Sequence, residues 1–259
     1  MSIIVISDLH LNPEYPEGIA DLSYLREKYA QNCSDLYILG DFFEIWVGDD
    51  EHNPFVDAVV AELQAWKALG IHLYFMAGNR DFLLGNAFAQ RVGWQILEDP
   101  FVADFYGLKV LLSHGDLLCT LDQAYQKWRD YVHKPWMQWL FFRLPLWVRL
   151  KIGAKARQKS RDYVHVALPQ KMDVVTGTAL DWMKQRHTPI LIHGHTHQPG
   201  FQVCYQDQRA WTRITLSDWH QGPHALIWEK EKYRLISVHC HPCESRDPEF
   251  ETGSLLSQG

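Results

Sequence analysis

The 259-residue chain predicts an α/β fold: a sandwich of two β-sheets with helices outside (αββα), interrupted by an inserted helical cap. Three observations predict it. Short apolar runs alternate with helical patterns up to about residue 115. After His197 the texture changes to short alternating segments. Between these regions, residues 117–172 break the alternation with helical, aromatic-rich sequence.

The elements come in this order. Strand-like runs lie near 3–7, 35–40, 71–77, 108–113 and 189–193, with helical patterns near 18–31, 53–69 and 82–92. Strand and helix in alternation imply a largely parallel component. Phe201–Tyr205, Trp211–Leu216, Ala225–Glu229 and Arg234–His239 read as antiparallel strands. Helices are expected near 121–134, 136–150 and 152–166, with Pro135 and Pro145 as breaks. The predicted division is a core of 1–116 and 173–241, a cap of 117–172, and a polar, disordered tail over 242–259.

Composition narrows the class. A hydrophobic content of 47% can fill a large core, and a net charge of −6 argues against a general nucleic-acid binder. The five cysteines (33, 119, 204, 240 and 243) are scattered and odd in number, which gives no disulfide framework and suits a reducing cytosol. His239-Cys240-His241-Pro242-Cys243 lacks the second pair that a zinc site needs. The first residues enter a strand without a basic, apolar leader, so no signal peptide is expected. No run of about 20 apolar residues could span a bilayer.

Charge is unevenly spread. From Lys127 to Lys171 there are eleven Lys or Arg and two acids (Asp130 and Asp162), a local +9 that leaves −15 for the rest. The same block holds Trp128, Trp136, Trp139 and Trp147 with Phe141 and Phe142. Such a block could bury its aromatics on the core, line an acyl groove, or meet an anionic bilayer.

Five polar clusters sit just past the ends of apolar runs: Asp8 with His10, Gly40-Asp41, Gly78-Asn79-Arg80-Asp81, Ser113-His114-Gly115, and His193-Gly194-His195-Thr196-His197. The carboxyl ends of strands are where α/β sheets present ligands. One such cluster alone is an ordinary polar loop start; five in one chain are hard to explain separately. Asp8 and His10 are two apart, as are His195 and His197, so each pair projects to one face of an extended chain. Carboxylate, imidazole and amide donors together suit divalent cations of the Mn, Fe, Zn or Mg range. The pattern reads as a two-metal phosphoesterase.

The ordered set Asp8-Leu9-His10, Gly40-Asp41, Gly78-Asn79, His114 and Gly194-His195-Thr196-His197 resembles the motifs of calcineurin-like metallophosphoesterases over residues 2 to about 230. Within that superfamily, Gly40-Asp41-Phe42-Phe43-Glu44-Ile45-Trp46-Val47-Gly48-Asp49-Asp50, Gly78-Asn79-Arg80-Asp81 and the helical insertion resemble the UDP-2,3-diacylglucosamine diphosphatases of lipid A biosynthesis, as does Leu216-Ser217-Asp218-Trp219-His220. The resemblance implies two divalent metal ions, manganese by family expectation. One would be held by Asp8, His10, Asp41 and His197, the other by Asp41, Asn79, His114 and His195, with Asp41 shared. A bridging water, acidified by the pair, would attack the α-phosphorus. His195 and Asn79 would also touch substrate.

Arg80 discriminates most. The wider superfamily commonly places a His after the Asn, suited to protonating an alkoxide. Arg cannot act as a useful acid but grips phosphate well. Cleaving a diphosphate expels a phosphate monoester with a second pKa of about 6, which needs no proton donor. Asp122 and Ser160 match polar substrate positions of the resembling family. The chain departs from it at Val164 and Ala167, where an Asn and a Lys are usual, although Lys155, Arg157 and Lys159 lie nearby. The resemblance implies a nucleotide-linked glycolipid substrate and a cytoplasmic enzyme peripheral on the anionic inner membrane. It leaves the oligomeric state open. Two alternatives are a phosphoesterase for a soluble nucleotide diphosphate, polyphosphate or phosphoprotein, and a non-catalytic scaffold.

Overall fold

The computed structural model describes residues 1–166, 173–238 and 250–254. In chain order the elements are β1 (Ser2–Ile6), α1 (Glu17–Tyr29), β2 (Cys33–Leu39), α2 (Pro54–Ala68), β3 (His72–Met76), α3 (Asn86–Val92), β4 (Gln95–Leu97), β5 (Phe101–Phe105) and β6 (Leu108–Ser113). Then come α4 (Gln123–Val132), α5 (Pro135–Phe142), α6 (Leu146–Val166), α7 (Thr176–Arg186), β7 (Ile190–His193), β8 (Gly200–Gln206), β9 (Arg209–Thr215), β10 (His224–Trp228), β11 (Lys232–Ser237) and β12 (Phe250–Ser254).

One sheet runs β12-β11-β10-β1-β2-β3-β4 and the other β5-β6-β7-β9-β8. The first is parallel from β1 to β4 and antiparallel from β1 through β10 and β11 to β12. In the second, β6, β7 and β9 are mutually parallel, with β5 and β8 antiparallel at the edges. Successive strand residues point to opposite faces, so each sheet contributes to two apolar layers. Ile3 and Val5 meet Val110, Leu112, Ile190 and Ile192 between the sheets. Ile4 and Ile6 face outward onto Leu22, Leu25, Val59 and Leu63 of α1 and α2. On the far side Leu111 and Leu191 are covered by Ala179 and Met183 of α7. The two-sheet sandwich with outer helices is therefore as the sequence predicts.

The differences are local and have physical reasons. Trp211–Leu216 reads as antiparallel, yet β9 pairs parallel with β7 on one side and antiparallel with β8 on the other. The second helical break falls at Pro145, one of the two expected, and the helix boundary expected near 151 is absent because one helix runs from Leu146 to Val166. Pro145 cannot continue α5 but leaves its carbonyl free to accept from Val148 and Arg149 as α6 begins. β4, β5 and α7 are too short or too weakly periodic to have been anticipated. The predicted disordered tail contains an exception in β12, which adds an edge strand by pairing Leu235 with Phe250 and Tyr233 with Gly253. The Cys240 to Cys243 motif and Ala167 lie outside the described residues.

Candidate metal centre

Every predicted cluster lies on a loop leaving the carboxyl end of β1, β2, β3, β6 or β7. The backbones of these loops are tied together. Asp8 N–H donates to Gly40 O at 3.0 Å, His10 N–H to Asp41 O at 2.9 Å and Gly194 N–H to His114 O at 2.9 Å. The bends are tight: Asp8, His10, Asp41, His195 and His197 all have positive φ, between 49° and 67°. Non-glycine residues adopt this region uncommonly, and such strain concentrates at functional sites. Two glycines allow the close approach. A Cβ on Gly78 would collide with the Asp41 carboxylate, and one on Gly194 with Asp8 and Ser7.

The side chains form two groups. In one, ligand atoms of Asp8, His10 and His197 lie within 4.8 Å of one another; in the other, those of Asp41, His114 and His195 do. Asn79 joins the second, its Oδ1 3.0 Å from His114 Nε2. The groups share a seam: Asp8 Oδ2 accepts from Ser7 Oγ at 2.6 Å and from His195 N–H at 2.9 Å. Asp8 Oδ1 is buried and faces His197 Nε2 at 3.4 Å. Beyond each group, other residues set ring orientation. His114 Nδ1 faces Leu39 O at 2.9 Å, and His197 Nδ1 lies 3.3 Å from Asp218 Oδ2.

Electrostatics explains why the site attracts cations. Burial alone would push His114 down, but the Asp41, Asp8 and Asp116 charges overcome it and raise the imidazole to about 9. His197 is likewise raised to about 10: burial opposes protonation, but hydrogen bonds to Asp218 and Asp8 prevail. Burial, and then the charge of His114, lower His195 to about 4. Burial would raise Asp8, yet its contacts with His197 and the nearby imidazoles hold it well below the usual carboxylate range. A field that draws protons onto the buried His114 and the half-buried His197 equally favours a divalent cation. Mixed nitrogen and oxygen donors, a fully buried Asp8 carboxylate between imidazoles and oriented rings fit such ions.

Residues 1–199 match the family model for calcineurin-like phosphoesterase. Among curated relatives, UDP-2,3-diacylglucosamine hydrolase of Aeromonas salmonicida is 44% identical over 91% of this chain and 92% of its own length. Its namesake from Vibrio cholerae is 38% identical over 92% of this chain and 97% of its own. The chain belongs to the calcineurin-like phosphoesterase family, among the UDP-2,3-diacylglucosamine hydrolases. A solved structure of vacuolar protein sorting 29 from Cryptosporidium parvum shares the fold at 14% identity, with a TM-score of 0.50 over 98% of this chain and 97% of that one.

The family uses divalent metals, and the two donor groups are where this phosphoesterase would hold them. Arg80 is at the second group. Its N–H donates to Asp41 Oδ1 at 2.9 Å and its Nε stands 3.6 Å from Asp41 Oδ2. That Nε is buried without a hydrogen-bond partner among the described residues. Asp122 is a helix cap: its Oδ1 accepts from Tyr125 N–H at 2.9 Å at the start of α4, and Tyr163 of α6 donates to it at 3.0 Å. Ser160 lies half-buried one turn before Tyr163 on α6.

Several site residues carried no assigned role in the sequence reading. Asp81 is fully buried and accepts from the N–H groups of Phe42 at 2.7 Å and Gly78 at 2.8 Å, fastening the β2 and β3 loops together. Burial and the neighbouring Asp41 push its carboxyl up to about 7. Asp116, held by Tyr125 Oη at 2.6 Å and Arg129 Nε at 2.6 Å, sits behind His114 and His195. A role for Asp81 could have been suspected, since it ends the polar turn Gly78-Asn79-Arg80-Asp81. Asp218 likewise lies in the motif Leu216-Ser217-Asp218-Trp219-His220, whereas Asp116 gave no comparable signal.

Proposed function

We propose that the chain hydrolyses the diphosphate bond of UDP-2,3-diacylglucosamine, releasing UMP and 2,3-diacylglucosamine 1-phosphate, with manganese as its metal. The paired donor groups, with the Arg80 guanidinium ion-paired to Asp41 beside the second, carry this reading. Asp8, His10, Asp41 and His197 would hold one cation and Asp41, Asn79, His114 and His195 the other. Bound cations supply Lewis acidity and lower the pKa of water. Water adds to the α-phosphorus, the bond to the bridging oxygen breaks, and the β-phosphate leaves with the electron pair. Arg80 grips the diphosphate through its guanidinium and balances the charge that gathers on the leaving phosphate. Asn79 and His195, beside that arginine and the second group, orient the attacked phosphoryl. Asp122, bonded to Tyr163 of α6 at the start of α4, and Ser160 on α6 would contact the sugar.

The helical segment supports the lipid part of the reading. Neither α4 nor α5 has a buried residue, and Trp128, Trp136, Trp139 and Trp147 are 45–62% exposed. Arg143 lies over the Trp139 ring at 4.6 Å and Lys151 over Trp147 at 5.0 Å. Among the described residues no helix is long and apolar enough to cross a membrane. Exposed Trp and Phe beside cations suit the surface of an anionic bilayer, where the enzyme would sit peripherally on the cytoplasmic face.

Product analysis tests the proposal. With manganese, UMP should appear from UDP-2,3-diacylglucosamine and not from a deacylated UDP-sugar or diadenosine tetraphosphate. Arg80→Ala should lose turnover by a factor of about 100 or more while still binding manganese. Turnover of the soluble compounds alone would overturn the lipid assignment.

A further inference from the structure

The loop after Asp41 carries a charged residue that the metal reading leaves unused. Glu44 is largely buried, its side chain 13% exposed. Its Oε2 stands 3.3 Å from His10 Nδ1. Its Oε1 is ion-paired with Arg157 Nε and lies 3.6 Å from Arg161 Nη2, both on α6. The backbone fixes this placement. Glu44 N–H donates to Leu11 O at 3.1 Å, Leu11 N–H to Phe42 O at 2.9 Å and His10 N–H to Asp41 O at 2.9 Å, so the β1 and β2 loops are zipped beside the imidazole.

We propose that Glu44 is a positioning residue for the metal centre: it steers the His10 ring from behind and is itself clamped by Arg157 and Arg161, coupling α6 to the first donor group. The inference rests on the metal reading of that group. An imidazole engages a cation through one nitrogen, and the group facing the other nitrogen selects the tautomer. A carboxylate at Nδ1 favours the proton there and leaves the lone pair on Nε2. The two oxygens of Glu44 divide the work, one towards His10 and one towards α6. A carboxylate that merely neutralised arginines would have no effect on the His10 tautomer, and that difference is measurable.

The test combines manganese binding isotherms with nitrogen-15 spectra of histidine-labelled protein. Wild-type protein should bind two manganese ions. Glu44→Ala should weaken one of them by about 10- to 100-fold, leave the other unchanged, and mix the His10 tautomers. Glu44→Gln, whose amide oxygen can accept from Nδ1, should restore the single tautomer and most of the affinity. A folded Glu44→Ala with both affinities and the tautomer unchanged would overturn the proposal. Should that variant not fold, Arg157→Met is read in the same way: release of the clamp weakens the same manganese ion, and an unchanged isotherm overturns the coupling. Wild-type protein that binds no manganese would remove the metal reading itself, a result distinct from a two-site isotherm that Glu44→Ala leaves unmoved.

Discussion

Arg149 offers the most quantitative test of how the inserted helices hold the site loops. It is 3% exposed on α6 and reaches across to the loop after Asp41. Its Nη1 donates to Val47 O at 2.7 Å and to Asp50 Oδ1 at 2.9 Å, its Nε donates to Leu144 O at 3.0 Å, and its Nη2 pairs with the other Asp50 oxygen. Arg149→Met keeps most of the aliphatic stem and removes the guanidinium. Two carbonyls then lose a charged donor, each worth about 1.5–3 kcal/mol. The Asp50 side chain is 58% exposed, so its pairing adds only about 0–1 kcal/mol after solvent screening. The expected loss is about 3–7 kcal/mol. For a chain of this size that lowers the melting temperature by roughly 10–20 °C. Calorimetry or circular dichroism at neutral pH measures it. A loss below about 1 kcal/mol would refute the argument, because water would then have replaced the guanidinium at both carbonyls.

Gly194→Ala should abolish tight manganese binding, since its new Cβ meets the Asp8 carboxylate; equilibrium dialysis with wild-type stoichiometry would contradict this. Manganese affinity should rise steeply between pH 7 and 9, because binding must displace protons from His114 and His197, raised to about 9 and about 10. A flat affinity across that range counts against the assignment of these imidazoles. The same two groups fix the sign of the stability profile without metal. Their folded pKa values exceed the ordinary 6.5, so their contribution is fully present below pH 6.5 and fades as pH rises through 9 and 10. Chelator-treated protein should therefore melt at lower temperature at about pH 9.5 than at pH 6.5, and the opposite trend would be inconsistent with this field.

The architecture and the candidate donor clusters were legible in the chain, because both depend on local periodicity and on the residues that end each strand, while the grouping of donors into two sets came from the family resemblance. Ile3–Ile6, Leu36–Leu39 and Val110–Leu112 each end at a polar cluster, and strand ends in an α/β sheet gather at one edge. That suffices to bring Asp8, Asp41 and His114 together, along with His195 and His197 after Ile190–His193. The layer behind the donors is visible only once the chain is packed. Asp116 meets Arg129 and Tyr125, Asp218 meets His197, and Glu44 meets both His10 and Arg157, through pairs separated in sequence by anything from nine to 113 residues. No periodicity encodes such pairs. The same holds for Asp122, which is a helix cap in the fold although its position matches a substrate contact by resemblance. The pairing of β9 with β7 was also invisible, since a strand's direction depends on its neighbour and not on its own alternation. Local sequence sets which residues a loop offers; the packing of distant loops and of α6 sets how each one is held.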